Sequence, residues 1–308
     1  MISNDSTYIY AVKTSFNCYP CVSYISCDNI NATSASIASS TSIFAMSVIV
    51  PPPARPRVIA VANNKGGVGK TASAAAIAGE LARQGHAVLA LDLDAQAGNL
   101  TAVLHQRGYR GHTLLSVLLG EANLEEIIIE TRQPDLDLLP ASIQLLSQES
   151  RLQRIPGYHG LLRRLLPQLS GYAYLVIDCP PSLGDLTSLA LTAADVYVIP
   201  CQAEQLAFDG LHDMVRAAGV VRDNLNEKLT LAGIFFTAYH PNQRGTLNHG
   251  TVEATRRIYG DEALLPHIRK DMAVPMSQAT QQSVCAYEPT SRAAQDYHSL
   301  TQAILKTL

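Results

Sequence analysis

A glycine-rich stretch, KGGVGKT at residues 65–71, constrains the fold of this chain more than any other feature. It follows a β-branched segment, RVIAVA at residues 57–62, and precedes an alanine-rich segment. A glycine-rich turn between a strand and a helix lets backbone N–H groups face an anion, and the helix N-terminus adds its dipole. The pattern predicts a phosphate-binding loop that opens a helix running from about Gly69 to Gln84.

The side chains of this loop indicate which phosphates are bound. Lys70 is placed to bridge the β- and γ-phosphates of a nucleotide, and the Thr71 hydroxyl is placed to ligate Mg²⁺. Asn64 occupies the place of the usual first glycine, so the loop is a variant of the common pattern. The residues predicted to bind the nucleotide are Gly66, Gly67, Val68, Gly69, Lys70, Thr71 and Ala72.

Acidic residues end two further apolar segments. Asp92 and Asp94 close AVLALDLD, where strand alternation would put both carboxylates on one side, and Asp178 closes YLVID. One carboxylate of the first pair can hold a Mg²⁺-bound water while the other orients the attacking water. We assign Asp94 to the attacking water, with Asp92 in support, and we expect both Asp94 and Asp178 to reach the metal through water.

The rest of the chain alternates between strand-like and helical segments. Near-continuous apolar runs separated by helical segments predict an α/β fold, a doubly wound, mainly parallel sheet with helices on both faces. Right-handed crossovers would then gather the loops that follow the strands at one edge. In the last segment, Tyr297, Leu300, Ile304 and Leu308 recur at helical spacing and should pack back on the sheet. The predicted strands begin with RVIAVA and continue with AVLALDLD, LDLLPA, YAYLVIDCPP, DVYVIPC and LAGIFFTAY.

Three segments together carry a resemblance to a known family. NNKGGVGKT, LALDLDAQAGNLT and YLVIDCPPSLGDLTSLAL resemble the deviant Walker A, A′ and B segments of ParA-type partition ATPases, in the MinD/ParA branch of P-loop proteins. The likeness continues through IPCQAEQLAFDGL and YEPTSRAAQDY and spans roughly residues 57–300. Two departures stand out: Ala72 replaces a second hydroxyl, and PMS at residues 275–277 replaces a stretch that usually carries an acidic residue.

The resemblance implies a slow, Mg²⁺-dependent ATPase that forms a homodimer around two ATP molecules. Lys65 matches the signature lysine of the branch, which reaches across the dimer to the partner's phosphates. Such a cation offered in trans would neutralise transition-state charge as an arginine finger does. Lys65, Lys70, Asp92 and Asp94 are therefore the predicted catalytic residues.

The family also implies binding to non-specific DNA as an ATP dimer, with hydrolysis stimulated by a ParB-like adaptor in a nucleoid-associated, cytoplasmic setting. The net charge is −3, so DNA binding would need a local basic patch. Arg216 and Arg222 are weaker candidates for that patch. The principal candidates are Arg256, Arg257, Arg269 and Lys270.

Three alternative functions belong to relatives of the same branch. A positioning ATPase for a protein cargo would share every motif above. A MinD-like, membrane-associated cell-division ATPase would carry a basic amphipathic tail, whereas this chain ends in LTQAILKTL with Lys306 as the one cation of that stretch. An iron–sulfur relative would bridge a cluster through paired cysteines, but Cys179 and Cys201 read as buried strand cysteines.

The first 45 residues differ from the rest. They carry three charged residues, and they are rich in Ser, Asn, Thr and Tyr. Three of the six cysteines lie here without the fourth ligand of a zinc site, and the cysteines as a whole do not form a disulfide framework, which favours a reduced cytosolic setting. We interpret residues 1–45 as a disordered leader or as sequence preceding a true start at Met46, and residues 46–308 as one ATPase domain.

Overall fold

Seven strands form one sheet in the computed structural model, which describes residues 54–96, 99–105, 107–203, 207–239 and 246–308. Most of the strands are short, apolar and rich in β-branched residues, as a sheet buried on both faces requires. The strands are β1 (Arg57–Val61), β2 (Val88–Asp92), β3 (Ile129–Glu130), β4 (Leu136–Leu139), β5 (Tyr174–Asp178), β6 (Val196–Gln202) and β7 (Thr230–Thr237). The predicted leader, residues 1–45, lies outside the described residues.

The strand order is β3-β4-β2-β5-β1-β6-β7. Every neighbouring pair is parallel except β3 with β4, an edge pair that the sequence did not predict because β3 has only two residues. β1 lies between β5 and β6, so the chain order reverses beside it. Ligands of such sheets bind at the carboxyl ends of the strands where the order reverses, which is where the phosphate loop leaves β1.

Helices cover both faces of this sheet, which confirms the predicted doubly wound α/β fold. Residues Tyr158–Gly160 and Leu166–Leu169 form short 3-10 helices. The α-helices of the described residues are α1 (Lys70–Arg83), α2 (Leu100–Leu104), α3 (Leu114–Leu118), α4 (Leu124–Ile127), α5 (Leu145–Leu152), α6 (Leu161–Leu165), α7 (Asp185–Ala193), α8 (Ala207–Asn224), α9 (Thr246–Tyr259), α10 (Ala273–Ala279), α11 (Val284–Tyr287) and α12 (Arg292–Leu305).

Alternation along the central strand divides the core in two. Val58 and Ala60 of β1 point into a core that includes side chains of α7 and α8, whereas Ile59 and Val61 point into a core that includes side chains of α1 and α12. The predicted final helix forms, and its Tyr297, Leu300 and Ile304 are buried in the second core. The helix α12 thus packs directly on α1, the helix that begins at the phosphate loop.

The predicted boundaries hold to within a few residues, with one difference that matters for the site. AVLALDLD does not stay in the sheet to its end: β2 stops at Asp92, and Asp94 lies beyond it. The backbone N–H of Asp94 donates to the Asp92 carboxylate instead of to a neighbouring strand, so the chain turns there. The prediction that Asp94 belongs to the strand is therefore wrong, and alternation along β2 does not determine where its carboxylate lies.

Candidate nucleotide site

The glycine-rich loop leaves the end of β1 and turns into α1. Gly67 and Gly69 adopt φ angles of 76° and 88°, in the left-handed region that favours glycine. A side chain at Gly69 would also meet the Thr237 methyl group at 3.2 Å. These two positions require glycine for backbone shape, which supports the phosphate-loop geometry that the sequence predicts.

An asparagine before the loop fixes its entrance. Asn63 is buried, and its Nδ2 donates to the carbonyl of Pro200 in β6 at 2.7 Å. Its Oδ1 accepts from the backbone N–H of Lys65 at 3.0 Å. The side chain therefore joins the loop to the neighbouring strand and sets the backbone position of Lys65.

Two polar residues at the ends of strands fix the middle of the loop. Gln202, the last residue of β6, donates from Nε2 to the carbonyl of Gly67 at 3.0 Å. Thr237, the last residue of β7, donates from Oγ1 to the carbonyl of Val68 at 2.9 Å. Because both bonds engage carbonyl groups, they turn these carbonyls toward the sheet and away from a ligand that accepts hydrogen bonds.

Lys70, the first residue of α1, is 6% exposed. Its ammonium donates to the carbonyl of Lys65 at 2.8 Å, across the mouth of the loop. Burial lowers the pKa of Lys70, while the charges of Asp178 and Asp94 act in the opposite direction. The structure thus places a buried cation among carboxylates at the helix N-terminus, where an anion is favoured.

Asp178 ends β5, directly beside Val61 of β1 and Asp92 of β2. Its side chain is fully buried, and neither carboxylate oxygen has a hydrogen-bond partner. Burial raises the pKa of Asp178 well above its usual range, and the Asp92 carboxylate raises it further. The Thr71 hydroxyl lowers this pKa without reaching hydrogen-bonding geometry with either oxygen. A buried carboxylate in this condition is incomplete without a cation or an ordered water.

Asp92 is equally buried but fully partnered. Its Oδ2 accepts from the backbone N–H of Thr101 at 2.7 Å and from the Thr101 hydroxyl at 2.6 Å, and its Oδ1 accepts from the backbone N–H of Asp94 at 3.0 Å. Burial raises the pKa of Asp92 to about 7, although these hydrogen bonds lower it. Asp92 thereby holds both α2 and the backbone of Asp94 against the end of β2.

Asp94 is half-buried at the start of the following loop. Its Oδ1 accepts from the backbone N–H of Gln96 at 2.9 Å, and its own carbonyl accepts from Nδ2 of Asn99 at 2.6 Å. Residues 97 and 98 lie outside the described residues. The role of Asp94 with the attacking water stays a prediction.

The donor set tests whether Mg²⁺ fits this place. The Thr71 hydroxyl lies in the first turn of α1 and is half-buried, and the unpartnered oxygens of Asp178 lie close enough for that hydroxyl to lower the carboxylate pKa. Hydroxyl, carboxylate and water oxygens are ligands that Mg²⁺ prefers. The residues fit a magnesium ion that Thr71 would ligate and Asp178 would hold.

Comparison with known proteins agrees with this geometry. A family model described as an AAA domain matches residues 56–231. The chromosome partitioning protein ParA of Caulobacter vibrioides is 34% identical over 81% of this chain and 94% of its own. The sporulation initiation inhibitor protein Soj of Bacillus subtilis is 33% identical over 80% of this chain and 98% of its own. A cobyrinic acid a,c-diamide synthase from Mycobacterium smegmatis, with bound ATP analog and magnesium, matches with a TM-score of 0.68 and 33% identity, covering 82% of this chain and 95% of that one.

This chain belongs to the ParA-type family of P-loop ATPases.

In this ParA-type chain, a pocket of about 250 Å³ continues from the phosphate loop. Gly67, Gly69 and Ala72 line one side, and Arg269–Met272 line another. Pro275, from the stretch that departs from the family pattern, lines its rim. The pocket is therefore continuous with the phosphate loop.

The four principal DNA-binding candidates do not form one group of unpaired cations. Arg256 of α9 pairs with Glu253 and, at 2.5 Å, with Asp261. Arg269 pairs with Asp296 at 2.8 Å and lines the pocket beside the phosphate loop, as Lys270 does. Arg257 and Lys270 are exposed. Ion pairing leaves Arg256 and Arg269 less available to DNA phosphates than their sequence suggests, and all four assignments stay predictions.

The two weaker DNA-binding candidates both lie on α8. Arg222 pairs with Asp223 at 3.0 Å, which again reduces the charge that a DNA phosphate would meet. Arg216 lies on the same helix, where its role in DNA binding stays a prediction.

The cysteines of the described region lie in surroundings that are typical of structural residues. Cys179, Cys201 and Cys285 are buried as free thiols, and burial raises the pKa of each. A metal-ligating cysteine needs the opposite shift, toward thiolate. Among the described residues, no group of three or more His, Cys, Asp and Glu side chains is arranged to hold a metal ion.

Sequence reasoning missed the residues that support the loop. Asn63, Gln202 and Thr237 act on the loop, and Thr101 acts on Asp92. Gln202 and Thr237 are polar residues at the ends of apolar strands, the same signal that pointed to Asp92 and Asp178. That signal could have identified Gln202 and Thr237, whereas no sequence pattern indicates Thr101.

Proposed function

We propose that this chain is a Mg²⁺-dependent ATPase that dimerises around ATP and acts in the partition of plasmid or chromosomal DNA. The observation that carries the proposal is the buried, unpartnered carboxylate of Asp178 beside Thr71 and Lys70 at the end of the glycine-rich loop. A buried carboxylate without partners is costly to keep for structure alone. A bound magnesium ion and the nucleotide phosphates would complete it.

The chain's own residues would divide the chemistry as follows. Backbone N–H groups of residues 66–71 and the ammonium of Lys70 bind the phosphates, and Thr71 and Asp178 hold the metal site. Mg²⁺, when bound, neutralises negative charge on the phosphates. Asp94 orients the attacking water, and Asp92 fixes the backbone of Asp94 through the hydrogen bond at 3.0 Å.

Lys65 gives the proposed cycle its dependence on a second subunit. Asn63 and Lys70 hydrogen-bond to the backbone N–H and the carbonyl of Lys65, at the mouth of the loop. We propose that a lysine at this position offers its ammonium to the phosphates of a partner subunit. We therefore propose that the dimer forms only while both subunits contain the triphosphate.

DNA binding would follow from this dimerisation. Two-fold symmetry doubles a modest basic surface, so a chain with a net charge of −3 could bind DNA as a dimer and release it as a monomer. Binding through phosphates would weaken steeply with salt. DNA binding by the ATP dimer would localise the protein at the nucleoid, and a ParB-like adaptor would stimulate the slow hydrolysis and so favour release.

A test of the cycle compares Lys65→Ala with Lys306→Ala, an exposed lysine at the far end of α12. We expect Lys65→Ala to bind ATP but to fail in dimerisation, measured by light scattering, and in ATP-dependent DNA retention, measured by filter binding. Lys306→Ala should match the wild type. If Lys65→Ala dimerises normally, or if the wild type binds DNA equally with ADP and ATP, the proposed switch is wrong.

The same experiment separates the alternatives. An ATP-dependent dimer that does not bind DNA would favour a protein cargo. Vesicle binding with ATP would favour the MinD-like function, although Leu300 and Ile304 of α12 are buried in the core. Among the described residues, no helix is both long enough and apolar enough to span a membrane.

The extent of the ATPase domain is also a proposal. The described residues all belong to one compact unit, which is consistent with a single domain over residues 46–308. Mass measurement of the native protein would show whether residues 1–45 precede it. A mass that includes them would contradict a start at Met46.

A further inference from the structure

One wall of the pocket beside the phosphate loop has no regular secondary structure of its own. The wall runs from Ile268 to Met272. At one end, the backbone N–H of Ile268 donates to the carbonyl of Phe236 in β7 at 2.8 Å, which anchors the segment to the sheet. The carbonyl of Ile268 also accepts from the backbone N–H of Tyr239 at 3.0 Å, and the residues after Ile268 are held by side chains.

Asp296 of α12 supplies the main anchor. Its Oδ2 accepts from the backbone N–H of Arg269 at 2.9 Å, and its two oxygens accept from the Arg269 guanidinium, from Nε at 2.9 Å and from Nη2 at 2.8 Å. The Asp296 side chain is 14% exposed and that of Arg269 is 33% exposed. A forked guanidinium pair that also holds a backbone N–H restricts both the position and the orientation of the wall.

A second carboxylate extends this anchor along the wall. Oδ1 of Asp271 accepts from the backbone N–H of Ala273 at 3.0 Å, and Oδ2 accepts from that of Ala293 in α12 at 3.3 Å. These bonds lower the pKa of Asp271. The wall is therefore tied to α12 at two points, Arg269 and Asp271.

The residue after Asp296 contacts the phosphate-binding helix. Tyr297 is 2% exposed and lines the pocket, and its hydroxyl shares a hydrogen bond of 3.1 Å with the hydroxyl of Ser73. Ser73 lies in the first turn of α1, two residues after Thr71. Consecutive residues of α12 thus contact Arg269 of the wall and Ser73 of the phosphate-binding helix.

We propose that Asp296 is a positioning residue for the nucleoside part of ATP, acting through Arg269 on the wall Ile268–Met272. The proposal rests on the proposed nucleotide function of the phosphate loop. It assigns the guanidinium of Arg269 to the nucleotide pocket and not to a DNA surface. Loss of the Asp296 carboxylate would loosen the wall at Arg269 while leaving the phosphate loop intact, because Asn63, Gln202 and Thr237 hold that loop independently.

The test compares two ligands in the presence of Mg²⁺. ATP would contact both the loop and the wall, whereas inorganic tripolyphosphate would contact the loop alone. In Asp296→Asn we expect the dissociation constant for ATP to rise about tenfold, the size typical of coupling through a shared element. Binding of tripolyphosphate, measured by calorimetry, should stay unchanged. In the ATPase assay KM should rise more than kcat falls, and Asp296→Glu should recover part of the affinity.

A matched control lies at the opposite end of the sheet. Asp195 also binds a forked guanidinium, that of Arg55 at 2.5 and 3.0 Å, and also accepts from a backbone N–H, that of Val58 at 2.8 Å. Asp195→Asn should therefore cost similar thermal stability without changing either ligand's affinity.

Three results would overturn the positioning role. They are unchanged ATP affinity in Asp296→Asn, an equal loss of ATP and tripolyphosphate binding in that variant, and an equal loss of ATP affinity in Asp195→Asn. If the wild type binds neither ligand, the proposed nucleotide function itself fails.

Discussion

Two aspartates end neighbouring strands in direct register, and their surroundings are opposite. Asp92 of β2 and Asp178 of β5 are paired across the sheet and are both buried. Asp92 accepts three hydrogen bonds from Thr101 and Asp94. Asp178 accepts none at either oxygen. Burial raises the pKa of both. Hydrogen bonds from Thr101 and Asp94 act against this rise in Asp92, whereas in Asp178 the Asp92 charge adds to it while Thr71 and Lys70 act against it.

We interpret this difference as one between a carboxylate that stabilises the fold and a carboxylate that serves the proposed site. Burial of a charged group is tolerated when hydrogen bonds replace the water that it loses, as in Asp92. Asp178 lacks that replacement and sits beside Lys70 and Thr71, where a ligand could supply it. Both residues are aspartates at the last position of a strand, so only their hydrogen-bond partners distinguish them.

The largest effect is expected at Asp178. Asp178→Asn should reduce Mg²⁺-dependent ATP hydrolysis about 10²- to 10³-fold, because a group that holds charge in the transition state is lost. The same change should raise the free energy of unfolding of the ligand-free protein by about 1 kcal/mol, since an unpaired buried charge is removed. Steady-state kinetics and urea unfolding measure the two effects. A variant that loses stability and keeps its activity would assign Asp178 to the fold instead.

The next largest effect is expected at Asp94, in the loop that follows β2. Asp94→Ala should reduce kcat about 10²-fold, the lower range for loss of a group that positions or activates water. ATP binding should persist because Lys70 and the loop backbone remain, so the variant should stay on DNA with ATP. Single-turnover hydrolysis and DNA dissociation rates check this. Release of DNA as fast as in the wild type would rule out the assignment of the attacking water to Asp94.

The motif residues could be predicted because their signals are local. Gly67, Gly69, Lys70 and Thr71 lie within five consecutive residues, and Asp178 directly ends an apolar run. The partners that decide what these residues do are remote in sequence. Thr237 lies 169 residues from the Val68 carbonyl that it binds, so no pattern near the loop could indicate it.

The same limit explains why Asp92 and Asp94 were expected to share one side of a strand. Alternation describes a strand that continues, but the Asp92 carboxylate captures the backbone N–H of Asp94 and ends the strand. The sequence shows the carboxylate and not the hydrogen bond. The fold class could therefore be predicted from the chain's periodicity, whereas the orientation of the site depended on contacts across the sheet.

Asp92 should affect stability more than chemistry. Asp92→Ala leaves two backbone N–H groups and one hydroxyl without their acceptor, and we expect the free energy of unfolding to fall by about 3 kcal/mol. ATP hydrolysis should decline only as far as Asp94 is displaced. Urea unfolding and the pH-independent kcat measure the two changes. A loss of activity as large as that of Asp178→Asn at unchanged stability would show that Asp92 acts in catalysis.

The smallest effect is expected from removing one hydroxyl of that network. The Thr101 hydroxyl donates to Asp92 at 2.6 Å and accepts from the backbone N–H of Ala141 at 2.8 Å, so it joins β2 to the loop after β4. Thr101→Val keeps the shape of the side chain and the backbone bond to Asp92, and it should cost about 1–2 kcal/mol of unfolding free energy. Hydrolysis should stay near that of the wild type, since neither Asp94 nor Asp178 loses a contact. A strong loss of hydrolysis at unchanged melting temperature would place Asp92 with Asp178 and remove the distinction between them.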